Sequence, residues 1–305
     1  MSPILSRTKL GAAASGRPPA AVEIAPEGVL AAALPGSSRV PVYAFEPLPP
    51  GTVSPGIGEP NLRAPEAVAA AIRKALGEVS PRTRSVTLVL PDTSVRVFVL
   101  DFDSLPGKAA EVVSVLRFRL RKMVPFDVEQ AGLSYQVLSE DKTECRVLAA
   151  VLPNPILEEY EAAVRAAGYE PGAVLPSSLA ALAALDAPGA LLTACLSATS
   201  LTTSITHGKD LLLFRTLELP EDPGQRAAEV QRGIAVASAY FEDKLIARPR
   251  EIYFAGNSKA SEFARWINDP EMTVVELAPR SATGAATVLG NLSLAGLAGA
   301  LAGAA

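Results

Sequence analysis

Alternating apolar and polar positions open the patterned part of the chain. Residues Ala20–Leu34 read as AAVEIAPEG, a turn and VLAAAL, and Val40–Pro47 follows as a third strand after the break at Pro35-Gly36-Ser37-Ser38, so the spacing predicts a strand meander. Pro49–Pro60, rich in proline and glycine, predicts a loop. The period then lengthens: Ala64–Gly77 (APEAVAAAIRKALG) predicts a helix with Pro65 near its start and Gly77 at its end. Ser85–Leu90 is an apolar run of buried-strand length, and Pro91-Asp92-Thr93-Ser94 turns the chain into a further strand, Val95–Asp101. Ser104–Val124 predicts a helix with Val112, Val115, Leu116, Arg119 and Met123 near one face and Arg117, Arg121 and Lys122 on the others, stopped by Pro125-Phe126. Two strands (Leu133–Leu138 and Glu144–Val151), an amphipathic helix (Pro155–Gly168) and a short Ala/Leu-rich helix (Ser177–Leu185) complete this part.

The pattern then restarts. Leu191–Leu196, Leu201–Thr206 and Leu211–Leu217 read as three strands, with His207-Gly208-Lys209-Asp210 as a hairpin turn. A long helix at Gln225–Leu245, a buried strand at Glu251–Ala255, a helix at Ser261–Ile267 and a strand at Thr273–Glu276 follow. Each half runs meander, helix, strand. This weak repeat of architecture predicts two similar α/β lobes. The uncharged Val288–Ala305, mostly Ala, Gly, Leu and Ser, reads as a buried terminal helix rather than a membrane anchor, because its length is minimal for a span and small residues insert weakly.

Composition narrows the chemistry. With 305 residues there is material for one large or two modest domains, and 49% hydrophobic with 20% charged residues fits a globular chain. A net charge of −4 with no long basic run gives no electrostatic case for nucleic acid. The single histidine, His207, excludes two-histidine mechanisms and most histidine-based metal sites, and it reads as a solvated turn residue. Cys145 and Cys195 lie apart in apolar strands, which excludes a disulfide scaffold and fits a reducing compartment. Met1–Pro19 has no signal-peptide core and reads as a flexible tail. Arg117, Arg119, Arg121 and Lys122 cluster on one helix, as a solvated face or as a contact for anionic lipid headgroups. Trp266 reads as packing, and Asn291-Leu292-Ser293 matches a glycosylation acceptor without carrying weight.

One stretch carries a resemblance. SVTLVLPDTSVRVFVLDFDSLPG, LRFRLRKMVPF, LSYQVL, RVLAAVLPNPILEEYEAAVRAAGYEP and PSSLAALAAL occur in an order and spacing similar to the PilM family of type IV pilus assembly, relatives of FtsA. The resemblance implies an α/β, actin-like (ribonuclease H-like) two-lobed fold with an inserted α+β subdomain in the first lobe. Leu217–Gly224 is too short to hold the subdomain that relatives usually insert in the second lobe. The implied layout is a tail at 1–19, first lobe at 20–90, inserted subdomain at 91–153, first-lobe return helices at 154–188 and second lobe at 189–305.

The resemblance also implies a nucleotide cleft with ATP and Mg²⁺, built from two phosphate hairpins and a glycine-rich strand end. All three depart here. The first hairpin, D-x-G-x-x-x-x-K in the family, reads Glu23-Ile24-Ala25-Pro26-Glu27-Gly28-Val29-Leu30; proline also removes an N–H donor. The second, Ala194–Thr203, has neither Asp nor Gly, and the adenosine segment Ala255-Gly256-Asn257-Ser258 keeps one glycine. The expectation is a degenerate ATPase acting as a scaffold. The competing reading, an active actin-fold ATPase, keeps Glu23, Ser197, Thr199, Ser200 and Gly256 as a weak nucleotide site, and a kinase would need an aspartate and intact hairpins. The resemblance further implies capture of the N-terminal cytoplasmic tail of a PilN-like inner-membrane protein, placing the chain in the cytoplasm at the inner membrane among other pilus or secretion assembly proteins. Exposed strand edges of the inserted subdomain would take an extended peptide, with Phe98, Phe102, Phe118 and Phe126 as aromatic contacts or as core.

Overall fold

A computed structural model describes residues 17–35, 40–141, 143–185, 189–277 and 293–302. Most of the expected tail, the Asn291-Leu292 pair and the first residues of the uncharged C-terminal stretch lie outside the described residues.

Strands β1 (Ala20–Ala25), β2 (Gly28–Ala33) and β3 (Val42–Pro47) form an antiparallel meander, and β4 (Ser85–Leu90) and β8 (Glu170–Pro176) add in parallel, giving the order β3-β2-β1-β4-β8. The period of two assigns the faces. Ala20, Val22 and Ile24 of β1, with Val29, Ala31 and Ala33 of β2, point to one core, shared with α1 (Pro65–Val79) and α3 (Asn154–Ala166). Ala21, Leu30, Ala32 and Val89 point to the other face, where α7 (Ala295–Ala302) lies beside α4 (Ser177–Leu182). That parity puts Glu23 on the α7 face.

The second half repeats this plan. Strands β9 (Ala190–Leu196), β10 (Ser200–His207) and β11 (Asp210–Glu218) form a meander, and β12 (Glu251–Gly256) and β13 (Thr273–Glu276) add in parallel, in the order β11-β10-β9-β12-β13. One face packs Leu192, Ala194, Leu196, Leu201 and Ile205 under α5 (Pro223–Leu245) and α6 (Ala260–Ile267). The opposite face presents buried hydroxyls from Thr193, Thr202 and Ser204. Only Leu219 to Asp222 separate β11 from α5, so no subdomain is inserted between them.

Between β4 and α3 the chain builds a separate three-stranded sheet, β5 (Arg96–Phe102), β7 (Cys145–Pro153) and β6 (Ala131–Glu140), with β7 central. Helix α2 (Ala109–Leu120) covers one face with Val112, Leu116 and Leu120, against Leu100, Val147, Ala149 and Val151. On the other face Leu148, Val97 and Val99 meet Leu211 and Phe214 of β11.

Several expectations are corrected. Gly77 does not stop α1: the apolar stripe continues from Leu76 to Val79, and Ser80 ends the helix at φ 47, its N–H bonded to the Leu76 carbonyl at 3.0 Å. Helix α2 starts five residues later than predicted, beyond Pro106-Gly107; its buried stripe is Val112, Leu116 and Leu120, while Arg119 and Met123 are exposed. Strand β8 fills a segment to which the pattern assigns no element. Its two prolines are compatible with the sheet edge, and Gly172 is needed because a Cβ there would meet Ser85 Oγ at 2.5 Å. The terminal helix packs on β1, β2 and α4 of the first half rather than on the second sheet, drawn there by its apolar, small-residue surface.

Candidate functional site

A cleft of about 90 Å³ opens between the two large sheets, bordered by the β1–β2 and β9–β10 hairpins, the ends of β4 and β12, and the starts of α4 and α7. Glu23 enters from β1 with its carboxyl buried. Ser177 Oγ, at the start of α4, donates to Glu23 Oε1 at 2.6 Å, while Oε2 has no hydrogen-bond partner. Desolvation, reinforced by Asp92 and Glu27, pushes its pKa up to about 7, so the acid is protonated below neutral pH and only partly ionised at pH 7.

Asp92 is the cleft residue that sequence reasoning missed. It sits in a short 3-10 turn, Asp92–Ser94, at the end of β4 and is 8% exposed. The Ser178 amide donates to Oδ1 at 3.0 Å, the Ser178 hydroxyl donates to Oδ2, and Thr202 Oγ1 donates to Oδ2 at 3.0 Å. Burial raises its pKa while these donors lower it, with burial prevailing. One carboxyl therefore pins both halves of the molecule together. Its partners lie 86 and 110 residues along the chain, beyond any local motif.

The second hairpin satisfies its own donors. Ser197 Oγ accepts from the amides of Thr199 (3.2 Å) and Ser200 (3.0 Å), and lies 2.9 Å from Ser200 Oγ. The N–H groups that could face a phosphate are thus turned inward. Arg226 of α5, the cation of this corner, donates to the carbonyls of Ala198 (2.6 Å) and Ser197 (2.5 Å). In the first hairpin Pro26 has no N–H, and Glu27 faces the cleft, accepting from Asn257 Nδ2 at 3.4 Å. Gly28 has φ +155, and a Cβ there would meet the Glu46 carbonyl at 2.4 Å, so this glycine serves the hairpin's own packing. The same holds for Gly256, where a Cβ would meet Phe254 at 2.7 Å and the Leu196 carbonyl at 2.9 Å.

Glu23, Ser197, Thr199 and Gly256 thus line one cleft, with Ser200 bonded at its edge. The set does not fit a triphosphate. Three carboxyls face the space, the hairpin amides are internally bonded or missing, and the nearby arginine is committed to backbone carbonyls. Nor do the carboxyls offer a ready cation cradle: the oxygens of Asp92 are occupied, and among the described residues no group of three or more His, Cys, Asp or Glu could hold a metal ion. Helix α7 narrows the same space: Ala295 and Gly296 line it, and a Cβ on Gly296 would meet Glu23 Oε2 at 2.8 Å.

Of the aromatic residues singled out for partner contact, Phe98, Phe102 and Phe126 pack against the core between α2 and the small sheet. Phe118 alone points outward, 74% exposed. Cys145 is buried in that same core, Cys195 borders the cleft as a free thiol, and Trp266 packs on the second core.

Two sheets of one repeated order, facing each other across a cleft where their hairpins meet, define the actin-like class. No protein-family model and no curated protein matches the chain. Solved structures do. The protein is similar to a chain of a PilM–PilN type IV pilus biogenesis complex, with a TM-score of 0.74 at 19% identity over 94% of this chain and 98% of that one. It is also similar to a protein of actin-like ATPase fold from Bacteroides thetaiotaomicron, with a TM-score of 0.53 at 10% identity over 92% and 93% of the two chains. At these identities the likeness establishes the fold: an actin-like one with a small α+β unit inserted in the first half and none between β11 and α5.

Proposed function

We propose that this protein is a docking scaffold of a type IV pilus or related type II secretion assembly platform. In this reading it works in the cytoplasm at the inner membrane, holding the N-terminal tail of a PilN-like membrane protein without hydrolysing ATP. The observation that carries the reading is the likeness, over almost the full length of both chains, to a member of a PilM–PilN complex. The proposed layout keeps 91–153 as the inserted unit, as drawn from sequence, and departs from it in assigning the terminal helix to the first lobe.

The cleft chemistry supports the scaffold half of the proposal. A Mg-nucleotide would need donors and positive charge where this chain supplies carboxyls and internally bonded amides. Tail docking is supported by the position of β6 at one edge of the small sheet, where an extended peptide can add as a further strand. Among the described residues no helix is long and apolar enough to cross a membrane. The test is calorimetric titration of the purified protein with a synthetic peptide spanning the cytoplasmic tail of the PilN-like protein from the same organism. Saturable binding, lost on scrambling the peptide, is expected; no binding to the native tail would refute the docking role.

A further inference from the structure

Helix α2 closes at Leu120 within the run Arg117-Phe118-Arg119-Leu120-Arg121-Lys122-Met123, whose last three residues form the turn after it, and the inner and outer residues of this run have different tasks. Leu116 and Leu120 are fully buried against the small sheet. Arg117 is also spent internally, donating to the carbonyls of Val128 and Ala131. The outer face has no such employment. Phe118 is 74% exposed and Met123 42% exposed, which makes them two of the few large apolar side chains that the described surface leaves in water. Arg119 and Lys122 flank them, exposed and without an ion pair or hydrogen bond among the described residues, and Arg121 makes one exposed pair with Glu129 at 3.0 Å.

We infer that this face is a binding site for an anionic membrane surface, with Phe118 and Met123 entering the headgroup layer and Arg119, Lys122 and Arg121 contacting lipid phosphates. Three observations favour a bilayer. The patch is basic on a chain whose net charge is −4, so the positive charge is local; even with Asp127 and Glu129 counted, the run 117–129 stays positive. The exposed apolar residues stand away from the small sheet, Phe118 on the outer side of α2 and Met123 on the turn that follows it. Aromatic and basic side chains side by side, here at the end of α2 and in the turn after it, are also the combination by which interfacial segments hold anionic lipid. The face lies opposite the one by which the small sheet meets β11, so lipid contact leaves the cleft and the two-sheet packing untouched. The inference does not rest on the tail-docking reading, because it concerns the isolated chain and lipid alone.

The experiment is vesicle flotation of the purified protein with phosphatidylcholine vesicles, with and without about one third phosphatidylglycerol, at low and high salt. Binding to the anionic vesicles only, weakened by salt, is expected. The double substitution Arg119→Glu with Lys122→Glu should lower the bound fraction by more than tenfold, since each basic residue near the surface is worth about fivefold. Phe118→Ser should lower it about tenfold. Lys209→Glu, in the exposed β10–β11 turn, should change nothing. All these positions are exposed, and circular dichroism checks that each variant folds. The inference is overturned if anionic vesicles do not bind, if neutral vesicles bind equally, or if the variants bind like the parent. It is also overturned if polyglutamate binds this face while vesicles do not, which would assign the patch to an acidic protein.

Discussion

Replacing Glu23 by glutamine gives a quantitative test of the cleft electrostatics. The buried acid has one oxygen bonded to Ser177 and the other unpartnered, and its pKa rises from 4.5 to about 7 on folding. Below pH 4.5 the folded and unfolded chains are both protonated and the group is neutral to stability. Between pH 4.5 and about 7 the unfolded chain releases the proton and the folded chain keeps it, so stability falls as pH rises, at about 1.4 kcal/mol per pH unit. The total is roughly 3 kcal/mol lost by pH 8, and glutamine abolishes that slope. Asp92, whose pKa moves in the same direction, is present in both proteins, so its contribution cancels apart from its coupling to Glu23. Urea denaturation of both proteins from pH 4.5 to 8 measures the difference directly. The variant should gain on the parent by roughly 3 kcal/mol across the range, whatever constant offset the amide introduces. Two parallel curves would refute the assignment of a protonated Glu23.

Three further perturbations test the architecture. Asp92→Ala leaves the Ser178 amide and hydroxyl without their acceptor and releases Thr202, and should destabilise by about 3 kcal/mol, read as a lowered Tm. Gly299→Val places new atoms against the Ala180 carbonyl, 1.8 Å from an ideal Cβ, and should cost about 1–3 kcal/mol and expose α7 to limited proteolysis. Gly77→Ala lies inside α1 facing open space and should stabilise by about 0.5–1 kcal/mol, measured by denaturant midpoint.

Strand periodicity carried much of the fold. Ser85–Leu90 and Thr273–Glu276 have the limits expected from pattern, because a short apolar run between turn residues has few other ways to be buried. Local signals failed where long-range packing decided. Proline and glycine in Glu170–Pro176 hid an edge strand that only its neighbour β4 makes sense of, and Gly77 signalled a stop that burial of Val79 overrode. The cleft was partly legible, since Glu23 and the altered hairpins stand out against the D-x-G pattern. Asp92 was not: in sequence it is one more turn residue, and its role arises from Ser178 and Thr202, contributed by distant segments. Neither was the terminal helix's seat, because a run of Ala, Gly and Leu says that it will be buried but not against which sheet.

The central proposal is that carboxyls and internally bonded amides make this cleft unsuited to a triphosphate, with docking rather than nucleotide turnover as the protein's task. Thermal unfolding of the purified protein with and without millimolar Mg-ATP and Mg-ADP tests it most directly. The account predicts coincident unfolding curves. A ligand that binds the folded form at about 100 times its dissociation constant would add roughly 2.7 kcal/mol, and a shift of that size would contradict it.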